Sequence, residues 1–84
     1  MSEPVRADIA LGTREVLAEV LSIPIDDIQE TSKLREDLDM DSLFAAEVAI
    51  ELEKKFEVQF DDSQVPNFET VGDLTAYIQS LSPA

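Results

Sequence analysis

The sequence predicts an all-α fold: a small antiparallel-type four-helix bundle of three main helices and one short helical turn, with a long loop between the first two helices. Apolar residues recur at helical spacing in three separate stretches. Only 2 Gly and 4 Pro occur in 84 residues, which argues against a series of hairpins. A chain of this length has room for one core, so we expect residues 1–84 to form a single domain.

The first helix is predicted from about Val5 to Leu21. Pro4 suits its N-terminus, and Pro24 ends it because the residue before a proline is pushed out of the α region. The predicted core-facing stripe consists of Val5, Ile9, Thr13, Val16 and Val20, widened by Leu17 and Leu21. Residues 22–41 show no clear period. Structureless loops this long are usually functional, so this segment is a candidate site.

The second helix is predicted from Ser42 to Phe56, with Asp41 as its cap. One apolar stripe is assigned to the core: Ala45, Val48, Ala49, Leu52 and Phe56. A second stripe, on roughly the other side, holds Leu43, Ala46 and Ile50, flanked or continued by Glu47, Glu53, Lys54 and Glu57. Two interpretations stay open: burial of the helix on two sides, or an apolar docking strip ringed by carboxylates for a basic partner. Phe44 lies away from both stripes and is expected to be exposed or half-exposed.

The last part of the chain predicts a short helical turn over residues 61–65, ended by Pro66, and then a third main helix. Thr70 opens that helix, with Asp73 three residues later as an approximate capping box. Its apolar stripe consists of Val71, Leu74, Ile78 and Leu81, with Tyr77 alongside.

Charge and composition exclude several functions. Nineteen acids stand against six bases, a net charge of −13, so nucleic acid and anionic membranes would be repelled while basic partners are attracted. The chain has no Cys and no His, and therefore no nucleophilic Cys-His or Ser-His pair and no zinc-thiolate site. We predict a monomer that is not an enzyme and holds no metal. Without a secretory leader or a membrane-spanning run, we expect it in the cytoplasm.

Two interpretations of the segment around Ser42 follow from the residues alone. Asp37, Asp39 and Asp41 match the first ligand positions of an EF-hand, but Ser42 replaces its glycine and Val48 its final glutamate. A true EF-hand is therefore not expected, although weak divalent binding stays open. A serine that ends a long loop and starts a helix either caps that helix or presents its hydroxyl to solvent.

The stretch LREDLDMDSL, from Leu34 to Leu43, resembles the attachment segment of the acyl carrier proteins, in which Asp-Ser-Leu follows a Leu-Gly pair. Other family spacings recur at Ile23-Pro24-Ile25, Glu47, Leu52 with Phe56, and Phe68-Glu69-Thr70-Val71. The resemblance covers roughly residues 17–81.

This resemblance implies that the Ser42 hydroxyl carries 4′-phosphopantetheine, added by a phosphopantetheinyl transferase, whose thiol carries acyl thioesters between the enzymes of fatty-acid, lipid or polyketide biosynthesis. It also implies a core that loosens to shelter an acyl chain. Acyl-processing enzymes with basic docking surfaces would be the partners. The partner-binding residues implied are Asp41, Leu43, Phe44, Ala46, Glu47, Ile50 and Glu53.

The sequence departs from the family pattern at a few positions. Asp39 replaces a usual Gly, Phe44 replaces an acid common in fatty-acid carriers, Lys54 and Lys55 interrupt the acidic run, and Pro66 shortens the short third helix of the family. Most of these changes lie on or near the implied docking face and predict a specialised pathway. The alternatives are an aminoacyl or peptidyl carrier, or an unmodified acidic helical adaptor or calcium-responsive docking module.

Overall fold

The computed structural model describes residues 6–60 and 68–81, with side chains from residue 8 onward. Within these ranges the chain forms three α-helices and no strand: α1 (Arg6–Leu21), α2 (Ser42–Phe56) and α3 (Val71–Leu81). The all-α prediction and the positions of the three main helices are confirmed. The predicted fourth turn at 61–65 and its ending at Pro66 lie outside the described residues, as does the Val5 start of the first helix.

The core forms around α1, which packs against both α2 and α3. Its fully buried side chains include Ile9 and Leu17 from α1, Leu52 from α2, and Ile78 from α3. Most of the predicted core stripes are buried, whereas Val20, Leu21, Ala45, Phe56 and Leu81 are half-buried. Thr13 is fully buried without a polar cost because its hydroxyl donates a 2.7 Å hydrogen bond to the Ile9 carbonyl one turn earlier.

The connection between α1 and α2 is more ordered than its aperiodic sequence predicts. After α1, Ser22 adopts a left-handed conformation with φ 57°, and a short 3₁₀ helix follows at Ile25–Asp27. Further on, Lys33 forms an isolated antiparallel bridge with Thr70, and the Leu34 amide donates to the Glu69 carbonyl at 2.9 Å. The connection therefore pairs with the segment that enters α3 and holds it in place.

The entry to α3 is the predicted capping box. The Thr70 hydroxyl accepts from the Asp73 amide at 3.2 Å, and the Asp73 carboxylate accepts from the Thr70 amide at 3.1 Å. Tyr77, one to two turns further along, makes an edge contact with Phe60 and a tilted contact with Phe68, with ring centroids 5.2 and 5.0 Å apart. These aromatic contacts bring the segments on either side of residues 61–67 against α3.

Candidate functional site

Ser42 is the first residue of α2, and its hydroxyl is not the cap of that helix. The cap is Asp41, whose backbone is extended and whose carboxylate accepts from the Phe44 amide at 3.0 Å. Ser42 is exposed, and its side chain makes no hydrogen bond to any described residue. The capping interpretation of Ser42 is therefore wrong. Asp41 satisfies the helix end and leaves the serine oxygen available for chemistry.

A loop whose two ends are joined by a hydrogen bond leads into Ser42. The Met40 amide donates to the Leu34 carbonyl at 2.9 Å, which joins the two ends of the segment between them. Leu34, Leu38 and Met40 are buried and anchor the loop in the core. Asp39 closes it in the left-handed region with φ 59°. This is the position at which the resembling family usually has glycine, and the backbone conformation explains that preference.

The acidic cluster before α2 does not converge on one point. Asp37 accepts from the Lys33 amide at 2.8 Å, while Asp41 accepts from the Phe44 amide. Across residues 6–60 and 68–81, no three acidic side chains lie close enough together to hold a metal ion. Lys33 neutralises part of this charge: its pKa is raised above the usual 10.5, chiefly by its hydrogen bond to Glu36 and the charges of Glu36 and Glu69.

A cavity of about 480 Å³ lies beside Ser42. One face of α2 forms a wall of it, and the other described lining residues belong to the loop before α2 and to the segments that flank residues 61–67. Among the described residues, the lining consists of Arg35, Met40, Asp41, Ser42, Ala45, Ala46, Ala49, Ile50, Glu53, Gln59, Phe60 and Phe68. Three alanines leave space on the α2 side. The cavity is mainly apolar, with a polar rim around the serine.

The two apolar stripes that the sequence predicts on α2 both contribute to this cavity. Ala45 and Ala49 belong to the predicted core stripe, whereas Ala46 and Ile50 belong to the second stripe, yet all four line the same cavity. The stripes therefore flank one face of the helix. Ser42, three residues before Ala45, lies on that face too.

The second stripe is not buried in this chain. Leu43 is 68% exposed and Ile50 is 50% exposed, and Ala46 and Glu47 are exposed between them. Burial of α2 on both sides is therefore wrong. Two large apolar side chains exposed two turns apart on one face of a helix, with an alanine between them, suit an interaction surface. We call Leu43, Ala46, Glu47 and Ile50 the exposed face of α2.

The other predicted partner-binding residues have internal contacts. Glu53 is half-buried, and its carboxylate accepts from the Phe60 amide at 2.7 Å, which ties α2 to the chain that follows it. Phe44 is half-buried and packs partly against the core without lining the cavity. Asp41 is exposed and serves as the helix cap.

Sequence reasoning missed the lining residues that come from outside the helices. Arg35, Met40, Phe60 and Phe68 were assigned no role in a cavity, because each reaches it only through loop closure or aromatic contacts. One signal was present: Met40 stands six residues after Leu34, within the one segment whose apolar residues had no period.

Comparisons with known proteins agree on one family. Residues 13–78 match the family described as "Phosphopantetheine attachment site". The chain is 41% identical over 77 residues to an acyl carrier protein of Acidothermus cellulolyticus, covering 92% of each chain. It is 38% identical over 74 residues to a meromycolate extension acyl carrier protein of Mycobacterium tuberculosis, of which it spans 64%.

Solved structures show the same fold. The acyl carrier protein from Enterococcus faecalis aligns with a TM-score of 0.77 at 26% identity, over 94% of this chain and all of that one. The apo doublet acyl carrier protein from prodigiosin biosynthesis aligns with a TM-score of 0.79 at 20% identity, over 93% of this chain and 38% of that one. None of the helices described here has the length and apolar character to cross a bilayer.

Proposed function

This chain belongs to the acyl carrier proteins, which bear phosphopantetheine and are not enzymes, and we propose that Ser42 is the residue that carries the group. The family works with a phosphopantetheinyl transferase and with acyl-processing enzymes. The transferase joins the serine oxygen to the phosphate of coenzyme A, releasing the adenosine bisphosphate portion and leaving a phosphodiester. The thiol at the far end of the arm then carries the acyl group, which supplies the reactive sulfur that this chain lacks.

The observation that carries the proposal is that Asp41 caps α2, while the Ser42 side chain makes no hydrogen bond to any described residue. Because the Asp41 carboxylate caps α2, modification of Ser42 removes no hydrogen bond that holds the helix. The hydroxyl is exposed to an incoming transferase and stands at the rim of a cavity. The serine therefore fits a site of covalent attachment.

The cavity beside Ser42 supports a second part of the proposal, that it shelters the acyl chain. Its walls include small alanines of α2 and the rings of Phe60 and Phe68, which suit an aliphatic chain. Burying apolar surface there stabilises the loaded form by about 0.8 kcal/mol per buried CH₂ group. The Glu53 contact with the Phe60 amide lies at the same cavity and helps to hold its wall.

The exposed face of α2 is proposed as the docking surface for partner enzymes. Leu43 and Ile50 offer apolar area next to the attachment site, and Glu47 places a carboxylate between them. Such exposed charges mainly raise association rates with a basic partner, and salt screens them. Asp41 contributes its charge while capping the helix, whereas Phe44 and Glu53 contribute less because the protein itself half-buries them.

We further propose that the partners belong to a specialised pathway within lipid, fatty-acid or polyketide biosynthesis. Lys54 and Lys55 are exposed at the end of α2, and Lys55 pairs with Glu15 of α1 at 3.6 Å, so the acidic surface is interrupted there. Phe44 adds a half-exposed ring near the serine. Efficient exchange with ordinary fatty-acid ketosynthases would contradict this proposal.

Intact mass spectrometry tests the attachment. After incubation with coenzyme A, Mg²⁺ and a broad-specificity phosphopantetheinyl transferase, the chain should gain one phosphopantetheine unit. Ser42→Ala should gain none, while the matched control Ser80→Ala, which changes another exposed helical serine, should gain one unit. A gain by Ser42→Ala would place the attachment elsewhere, and no gain by the unaltered chain with several transferases would favour an acidic adaptor.

The same reaction tests the docking surface. At limiting protein concentration, Leu43→Ser and Glu47→Gln should slow modification by lowering kcat/KM, with little change in kcat. The Glu47→Gln effect should fade as salt rises, because it acts through charge. Glu19→Gln, an exposed acid on α1, is the matched control and should leave the rate nearly unchanged. Equal slowing by the two glutamate variants would contradict a localised surface.

A further inference from the structure

We infer that Arg35 binds the phosphodiester of the prosthetic arm and holds the base of the arm at the cavity rim. The inference rests on the proposed attachment at Ser42. Arg35 and Ser42 line the same cavity although they are seven positions apart in sequence. A phosphate joined to the Ser42 oxygen lies at that rim by necessity, because the ester bond fixes it next to the serine.

The loop before α2 positions Arg35. Its neighbour Leu34 has a fully buried side chain, and two hydrogen bonds fix its backbone: its amide donates to the Glu69 carbonyl, and its carbonyl accepts from the Met40 amide. The hydrogen bond from Met40 returns the chain to its starting point just before Asp41 and Ser42. The fold therefore places the arginine and the serine on the lining of the same cavity.

The charges around the cavity favour this contact. Arg35 is the only basic residue among the described residues that line it, while Asp41 and Glu53 are acidic. Arg35 forms no ion pair with any carboxylate in the described part of the chain, unlike Arg14, which pairs with Glu30 at 3.7 Å. A new anion at Ser42 would otherwise be repelled by both acids and by the net charge of −13. Because it forms no ion pair within the described residues, the Arg35 guanidinium is the group that offsets this repulsion.

The chemistry of the two groups also matches. A phosphodiester keeps two unesterified oxygens that share one negative charge, and the planar guanidinium presents paired N–H donors to them. A lysine provides the charge as a single point and lacks this fork, so it should replace Arg35 only in part. The contact would restrain the first atoms of the arm and leave the thiol end free.

Phosphorus NMR tests the inference on fully modified protein. We compare the unaltered chain with Arg35→Gln, Arg35→Lys and the matched control Arg14→Gln, each converted to completion as verified by mass. The phosphodiester resonance should shift in Arg35→Gln toward its position in the unfolded holo protein, with Arg35→Lys intermediate and Arg14→Gln unchanged. Adding 1 M NaCl should move the unaltered protein toward the Arg35→Gln value and leave Arg35→Gln nearly unchanged.

The Nε–Hε signal of Arg35 gives an independent readout. It should move on conversion from the apo to the holo form, whereas the corresponding signal of Arg14 should not. The inference is wrong if, in fully modified protein, Arg35→Gln leaves the phosphorus resonance unchanged and attachment of the arm leaves the Arg35 signal unchanged. That result would leave Ser42 attachment intact. A response only after loading a carboxylated acyl group would also overturn the inference, because Arg35 would then bind cargo. Failure to form the holo protein is instead a failure of the proposed function, visible in the mass.

Discussion

At the scale of single residues, the turn before Ser42 depends on the backbone of Asp39. Its φ of 59° lies in the left-handed region, where a Cβ atom crowds the following carbonyl. Aspartate tolerates this conformation better than most residues, but glycine adopts it without steric cost. Asp39 therefore keeps the turn at some expense in stability, while adding another carboxylate to a segment already rich in them.

Asp39→Gly should raise the free energy of unfolding by about 0.5–1 kcal/mol, because relief of the left-handed strain outweighs the greater flexibility of glycine in the unfolded chain. Urea unfolding at fixed salt measures the change. Asp39→Ala is the matched control, since it removes the charge and keeps the Cβ atom that crowds the backbone. Equal stabilisation by Ala and Gly would show that charge, and not backbone strain, accounts for the gain.

Residues with local roles were predictable, whereas residues that act through loop closure were not. Asp41 and Ser42 could be assigned from their places at the start of an apolar period. Which of the two caps the helix became clear only from the hydrogen bond between the Phe44 amide and the Asp41 carboxylate. Arg35 had no local pattern to identify it. Its place beside Ser42 depends on the Met40–Leu34 hydrogen bond, which no helical or strand period encodes.

At the scale of elements, the contact between α1 and α2 depends on Gly12. By helix propensity alone, a glycine inside α1 is only a weak point. The structure gives the reason for it: a Cβ at Gly12 would lie 2.6 Å from Cζ of Phe56 and 2.9 Å from Cε of Lys55. A side chain at residue 12 would therefore fit only if the Phe56 ring and the end of the Lys55 side chain moved.

Gly12→Val should lower the free energy of unfolding by about 1–3 kcal/mol, the usual cost of overpacking. The same substitution in a Phe56→Leu background should cost less, because the shorter side chain vacates the space that the ring occupies. A double-mutant cycle from urea unfolding measures this coupling. If the two substitutions are simply additive, the close contact between Gly12 and Phe56 is not what constrains the residue.

The helices were more predictable than the connections. Helical spacing, Asp41 and the Thr70–Asp73 capping box are local signals, and each corresponds to an observed helix or helix end. The 3₁₀ helix at Ile25–Asp27 and the bridge from Lys33 to Thr70 were not predicted. The bridge joins residues 37 positions apart in sequence, so a single sequence read for period and turn signals does not reveal it.

At the scale of the whole molecule, the surplus of carboxylates that repel one another is large compared with the number of ion pairs in the described residues. Within the described residues, three ion pairs form, with nitrogen–oxygen distances of 3.3–3.7 Å, against a net charge of −13 for the chain. All three pairs involve partly exposed side chains, and exposed pairs contribute little stability. The surplus carboxylates remain to steer basic partners toward the protein, and their repulsion opposes the folded state.

Unfolding should therefore require more denaturant or a higher temperature as salt rises from about 0.01 to 0.1 M, over which the Debye length falls from about 30 to 10 Å.

Glu47 and Glu51 are exposed and lie one turn apart on α2, so Glu47→Gln should stabilise the protein by about 0.2–0.5 kcal/mol at low salt. That gain should shrink at high salt, because salt already screens the repulsion that the substitution removes. Calorimetry on both proteins across the salt range measures the two trends. Parallel curves would mean that Glu47 affects stability through packing or helix propensity, and a falling curve for the unaltered protein would mean that its few ion pairs outweigh the repulsion among its carboxylates.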